Sequence, residues 1–88
     1  PSSRVDLDAT NRLGHIAYLQ GDLREAERLY LEVFDRARDD AGRAIASGNL
    51  GLVYRIRGDL GRAEEMHKKA LMLNEALGHK VGMASQYG

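Results

Sequence analysis

The chain has 88 residues, with 13 basic against 13 acidic side chains, one proline, no cysteine and no tryptophan. The balanced charge gives no electrostatic footprint for a nucleic acid or an anionic membrane, and without cysteine there is no disulfide framework and no thiolate metal site. Hydrophobic residues at 43% and charged residues at 30% argue against disorder, while no apolar run is long enough to span a bilayer. The chain begins Pro1-Ser2-Ser3, with neither Met nor an apolar leader, and reads as a cytoplasmic piece of something longer.

In chain order, the apolar spacing predicts a first helix over roughly 5–20, with Leu13, Ile16 and Ala17 as its inward stripe. Gly21-Asp22 ends it: glycine accepts the left-handed backbone that closes a helix, and aspartate caps the amides of the next. A second helix over roughly 23–38 carries Leu23, Ala26, Leu29, Tyr30, Val33, Phe34 and Ala37 in a three-four rhythm. Asp39-Asp40 start a third at Ala41, over roughly 41–57, with Leu50, Val53 and Tyr54 inward. Gly58-Asp59 repeats the earlier break, and a fourth helix over roughly 60–77 uses Leu60, Ala63, Met66, Ala70, Leu73 and Leu77. Gly78 is expected to close it, with a fifth helix beginning near His79 and cut off at Gly88. Glu32 with Arg36, Glu64 with Lys68 and Glu65 with Lys69 are acid-before-base pairs on exposed faces, each adding about 0.2–0.5 kcal/mol to its helix.

These elements duplicate. Leu13-Gly14 returns as Leu50-Gly51, Gly21-Asp22-Leu23 as Gly58-Asp59-Leu60 and Ala26-Glu27 as Ala63-Glu64, each offset by 37. Gly42, Ala44 and Gly48 return as Gly82, Ala84 and Gly88, offset by 40, so the second copy's later helix or its exit is about one turn longer. The whole chain, 1–88, is thus one repeat region. Repeat one covers about 4–40, repeat two about 41–80, and a truncated third about 81–88.

The pattern of Leu50-Gly51, Tyr54, Gly58, Ala63 and Ala70, matched by Leu13-Gly14, Gly21, Ala26, Tyr30 and Val33, resembles the tetratricopeptide repeat. Ala17 and His67 stand where that family has aromatic residues, and its closing proline is missing from both copies. The long period is similar to the extended repeats of LGN/Pins-type adaptors and kinesin light chain. The resemblance implies an all-α, right-handed α-solenoid of antiparallel helix pairs. It also implies that Gly14 and Gly51 lie where the helices of one repeat cross closely, which offsets their helix-propensity cost of about 1 kcal/mol each.

Signals for catalysis are poor. His15, His67 and His79 lie far apart with no metal-ligand spacing, the Gly48–Gly51 stretch lacks the features of a phosphate loop, and neither Ser47 nor Ser85 has a base beside it. No enzyme, cofactor or metal is expected. The resemblance implies instead a protein-protein interaction module that takes a peptide or partner helix in a groove lined by the first helix of each repeat. By position the groove residues are Asp8, Asn11, Arg12, His15, Tyr18 and Leu19 from repeat one, and Ile45, Gly48, Asn49, Leu52, Arg55 and Ile56 from repeat two. Leu52 and Ile56 leave the core stripe and form an apolar patch on an exposed face, while Asn49 matches the asparagine that holds an extended peptide backbone in adaptor-like repeats. Gly48 gives room for a ligand backbone or simply tolerates being small. The alternative is a structural, self-associating spacer, with a homo-oligomer built through exposed repeat ends. Nucleic-acid and membrane partners are not expected.

Overall fold

The computed structural model describes the backbone of residues 3–87 and the side chains of residues 7–78. Four helices follow one another, α1 Ser3–Leu19, α2 Leu23–Arg36, α3 Asp40–Arg57 and α4 Leu60–Tyr87, and the described residues contain no strand. Each helix packs on the one before it, so α1 and α2 form one antiparallel pair, α3 and α4 a second, and α2 joins the pairs by packing on α3. This is an all-α helical-repeat solenoid.

The connections within each pair follow the Gly-Asp signal. Gly21 and Gly58 hold φ of 81° and 85°, in the left-handed region. Each donates its N–H back into the last turn, Gly21 to Tyr18 and Gly58 to Arg55, both at 3.1 Å. The amides of Asp22 and Asp59 reach Ala17 and Tyr54 at 2.9 Å, which completes a Schellman closure of α1 and α3. The same aspartates then turn forward: Asp22 Oδ1 accepts from the Glu25 amide and Asp59 Oδ1 from the Arg62 amide, capping α2 and α4. Asp39 caps α3 in the same way, accepting from the Gly42 amide at 2.8 Å, so that helix starts at Asp40.

The expected stop at Gly78 does not occur. α4 runs unbroken for 28 residues, twice the 14 of α2, and no helix starts anew near His79. Gly21 and Gly58 are each followed by an aspartate that captures the next helix, whereas Gly78 is followed by histidine and keeps helical backbone. The unpartnered apolar side chains expected in a third repeat, from Val81 onward, lie outside the described side chains.

The core is built from Ala17, Ala26, Leu29, Tyr30, Leu50, Val53, Tyr54 and Ala63, with Tyr18, Leu23, Phe34 and Met66 packed against it. Two glycines set the distance between helices. A Cβ on Gly14 would stand 2.8 Å from the Tyr30 ring, and one on Gly51 would stand 2.7 Å from the His67 imidazole. The close crossing within each repeat is therefore real, although His67 itself is exposed where Tyr30 is buried.

Part of the expected inward stripe faces solvent. Leu13 and Ile16 are 54% and 48% exposed, while their repeat-two counterparts Leu50 and Val53 are fully buried. The reason is position in the array: α3 lies between α2 and α4, whereas α1 has α2 as its main neighbour. Leu60, in the first turn of α4, is exposed for want of a neighbour. Among the expected surface pairs, Glu32–Arg36 and Glu64–Lys68 form at 3.1 Å. Lys69 instead leaves Glu65 and lies over the Phe34 ring, 5.3 Å from its centre.

The joint between repeats has a polar latch. Glu27 on α2 accepts from the Tyr54 hydroxyl at 2.8 Å and from the Arg57 guanidinium, and Arg62 stacks over the Tyr54 ring. Burial first, and then the hydrogen bond to Glu27, holds the Tyr54 pKa above its ordinary 10.0.

Two outcomes follow for stability. Gly14→Ala should destabilise the chain by about 1–2 kcal/mol net, because the buried Tyr30 ring has nowhere to go and overpacking outweighs the gain in helix propensity. Gly51→Ala should be neutral or slightly stabilising, since the exposed imidazole can swing into water; denaturant titration of both variants checks this. The second outcome concerns pH. The folded state holds the Tyr54 proton more tightly than the unfolded chain does, so its contribution to stability should be level from neutral pH to about pH 10.0 and fall as pH rises through the raised value. Tyr30, raised by burial, adds in the same direction. Tyr54→Phe should cost about 1–2 kcal/mol at neutral pH and make the alkaline fall shallower. Thermal melts between neutral and strongly alkaline pH measure both effects.

Candidate functional site

The first helices of the two repeats carry matched rows of side chains. On α1 the row is Asp8, Arg12, His15 and Leu19; on α3 it is Ile45, Asn49, Leu52 and Ile56. The spacing of four, three and four keeps each row on one helix face. A second row, Asn11 and Tyr18 on α1 and Gly48 and Arg55 on α3, lies beside it. All twelve residues are exposed or half-buried, and none belongs to the core.

The two rows differ in chemistry. The α1 row is mostly polar, whereas α3 exposes Ile45 and Ile56 at 55% and Leu52 at 40%. Gly48 opens onto free space, with no atom within 4 Å of where a Cβ would stand. His15 stacks near Tyr18, ring centres 6.3 Å apart, so the imidazole lies along the face with no metal-ligand set around it. Among the described residues no group of His, Cys, Asp or Glu has the geometry to hold a metal ion. Ser47 is fully buried, and its Oγ finds no hydrogen-bond partner among the described residues, so it has neither access nor a base for nucleophilic work.

The structure joins two of these residues directly. Asn49 Nδ2 donates to Asn11 Oδ1 at 3.2 Å, across the space between α1 and α3. Each amide can donate and accept, so the pair keeps one NH₂ and one carbonyl oxygen unused. Those are the complements of a peptide C=O and N–H. Arg12 and Arg55 stand on the same face and form no ion pair among the described residues. Leu19 and Ile56 lie about two turns beyond Asn11 and Asn49, toward the C-terminal ends of their helices.

At the other end of the face is a cleft of about 480 Å³ that the repeat pattern did not point to. Leu7, Val33, Ala37 and Ile45 give it apolar walls, and Asp8, Asn11, Arg36, Arg38 and Asp39 its polar ones. Only Asp8, Asn11 and Ile45 belong to the expected groove. The cleft exists because the α2–α3 connection lacks a Gly-Asp closure. Ala37 leaves α2 in extended conformation, φ −63° and ψ 136°, so the chain strides away from the helix end. Val33 and Ala37 are buried and Asp39 caps α3, as their spacing and type predict. The available signal for a cleft was the absence of a glycine at this one turn.

With the helix pairs and their exposed faces in view, family comparison is informative. A model of the tetratricopeptide repeat matches residues 6–76, so the chain belongs to the tetratricopeptide-repeat family. Comparison with curated proteins and with solved structures gave no match. Proteins of this family are generally protein-protein interaction modules and non-enzymatic scaffolds. No helix among the described residues is long and apolar enough to cross a membrane.

The amide pair can be measured without a ligand. Asn49→Ala loses one half-buried hydrogen bond but gains helix propensity, so stability should change by less than about 1 kcal/mol. A double-mutant cycle of Asn11→Ala and Asn49→Ala, read by denaturant titration, should give a coupling of about 0.5–1 kcal/mol.

Proposed function

We propose that this chain is a protein-interaction module whose groove, between the exposed faces of α1 and α3, holds an extended peptide or a partner helix. The observation that carries the reading is the Asn11–Asn49 pair, with its unused donor and acceptor, set beside Ile45, Leu52 and Ile56. An amide pair anchors backbone of any sequence, while an apolar row beside it gains from being covered. The arrangement is the one expected of a surface that binds a chain running along it.

The test uses peptides selected from a random display library on the whole chain, with affinity measured by calorimetry. Asn49→Ala should weaken binding by about 1–3 kcal/mol through loss of an amide contact, with little change in melting temperature. Leu52→Asp should abolish binding by setting a charge in the apolar row. Peptides that bind both variants normally would place recognition elsewhere.

A second reading is favoured by one observation, the exposure of Leu13 and Ile16 on α1 at positions whose counterparts in α3 are fully covered by neighbouring helices. Leu71 and Met72 on α4 are exposed at 59% and 68%. A second copy stacking head to tail would cover apolar surface at both ends and build an open array. In that case sedimentation velocity shows mass rising with concentration, and Ile16→Glu reverses it while leaving peptide affinity unchanged.

A further inference from the structure

The Asn11–Asn49 pair accounts for backbone recognition in the proposed groove but carries no side-chain preference. The cleft at the α2–α3 corner has the construction that such a preference needs. Its most buried lining residues are Val33 and Ala37, only 5% and 7% exposed, and Leu7 and Ile45 line it from α1 and α3. A volume of about 480 Å³ is ligand-sized, and an apolar lining holds water poorly. The cleft is continuous with the groove, because Asp8, Asn11 and Ile45 line both. A backbone held at Asn11 therefore passes a neighbouring side chain over the opening.

The charges at the rim separate into used and unused. Arg36 is engaged by Glu32, and Asp39 is occupied in capping α3. Asp8 and Arg38 have no ion pair and no side-chain hydrogen bond among the described residues. An occupant that brings one acid and one base satisfies both.

We propose that this cleft is the anchor subsite of the groove, taking one large aliphatic side chain of a bound peptide that is flanked by an acidic residue facing Arg38 and a basic residue facing Asp8. The assignment rests on the groove reading, and its test separates the two. The probe is the tripeptide lysyl-leucyl-glutamate, blocked at both ends and titrated at millimolar concentration into the ¹⁵N-labelled whole chain. Amide shifts should concentrate at Ala37, Arg38, Gly42 and Ile45. Replacing the probe's leucine by serine should weaken binding at least about tenfold. Replacing its glutamate by glutamine should weaken binding to the wild-type chain but make no difference to Arg38→Gln, an exposed substitution that leaves the core untouched. The assignment is overturned by shifts elsewhere, by equal binding of the serine probe, by an Arg38→Gln chain that still distinguishes acid from amide, or by no binding at all. If the tripeptide occupies the cleft while longer selected peptides ignore Asn49→Ala, the groove reading fails and the subsite stands. If selected peptides need Asn49 but ignore Arg38→Gln, the subsite fails alone.

Discussion

In each repeat, an aromatic ring from the second helix lies directly on a glycine of the first: Tyr30 on Gly14 and His67 on Gly51. At 2.8 Å and 2.7 Å to where a Cβ would stand, there is no room for any other residue without movement. That contact goes with the close spacing and rotation of the two helices, held firmly by the buried Tyr30 and more softly by the exposed His67. With that rotation, Leu50, Val53 and Tyr54 turn into the core, and Ile45, Leu52 and Ile56 are left on the outside of the same helix. Core and exposed row are thus opposite faces of one helix.

The two repeats satisfy that constraint unequally. Tyr30 is sealed between α1, α2 and the repeat that follows, while His67 covers Gly51 from an exposed position. Repeat two is held from its other side, where α3 rests on α2 and Glu27 grips Tyr54 and Arg57. A second asymmetry runs through the exposed rows, mostly polar on α1 and mostly apolar on α3. Two hydrogen bonds tie α3 to repeat one, Tyr54 to Glu27 on α2 and Asn49 to Asn11 on α1.

How much of this was legible in the sequence depends on whether the signal is local. Gly21-Asp22 and Gly58-Asp59 state both a stop and a start within two residues, and the structure follows them at both turns. Gly78 carries half of that signal and was over-read, because glycine without a following cap is tolerated inside a helix. Leu13 and Leu50 occupy equivalent positions yet differ from 54% to complete burial, since burial here depends on which helices flank a position in the array. The rows on α1 and α3 come from the tetratricopeptide-repeat resemblance carried over by position, and both are exposed or half-buried. The Asn11–Asn49 bond, the Glu27 latch and the cleft at the α2–α3 corner depend on residues 38, 27 or 30 positions apart, or on a backbone turn with no motif, and so were not legible.

The packing scheme also says something about how the chain reaches this fold. The principal helix contacts join neighbours along the chain, α1 with α2, α2 with α3 and α3 with α4. No sheet has to be closed between distant segments, so the loops to be closed are short and their entropy cost is small. Proteins dominated by such local contacts fold on microsecond to millisecond timescales. Each helix can also dock as soon as it follows its neighbour out of the ribosome. Synthesis at about 5–20 residues per second is far slower than that docking, so repeat one is able to pair and offer Glu27 before Tyr54 and Arg57 have emerged to meet it.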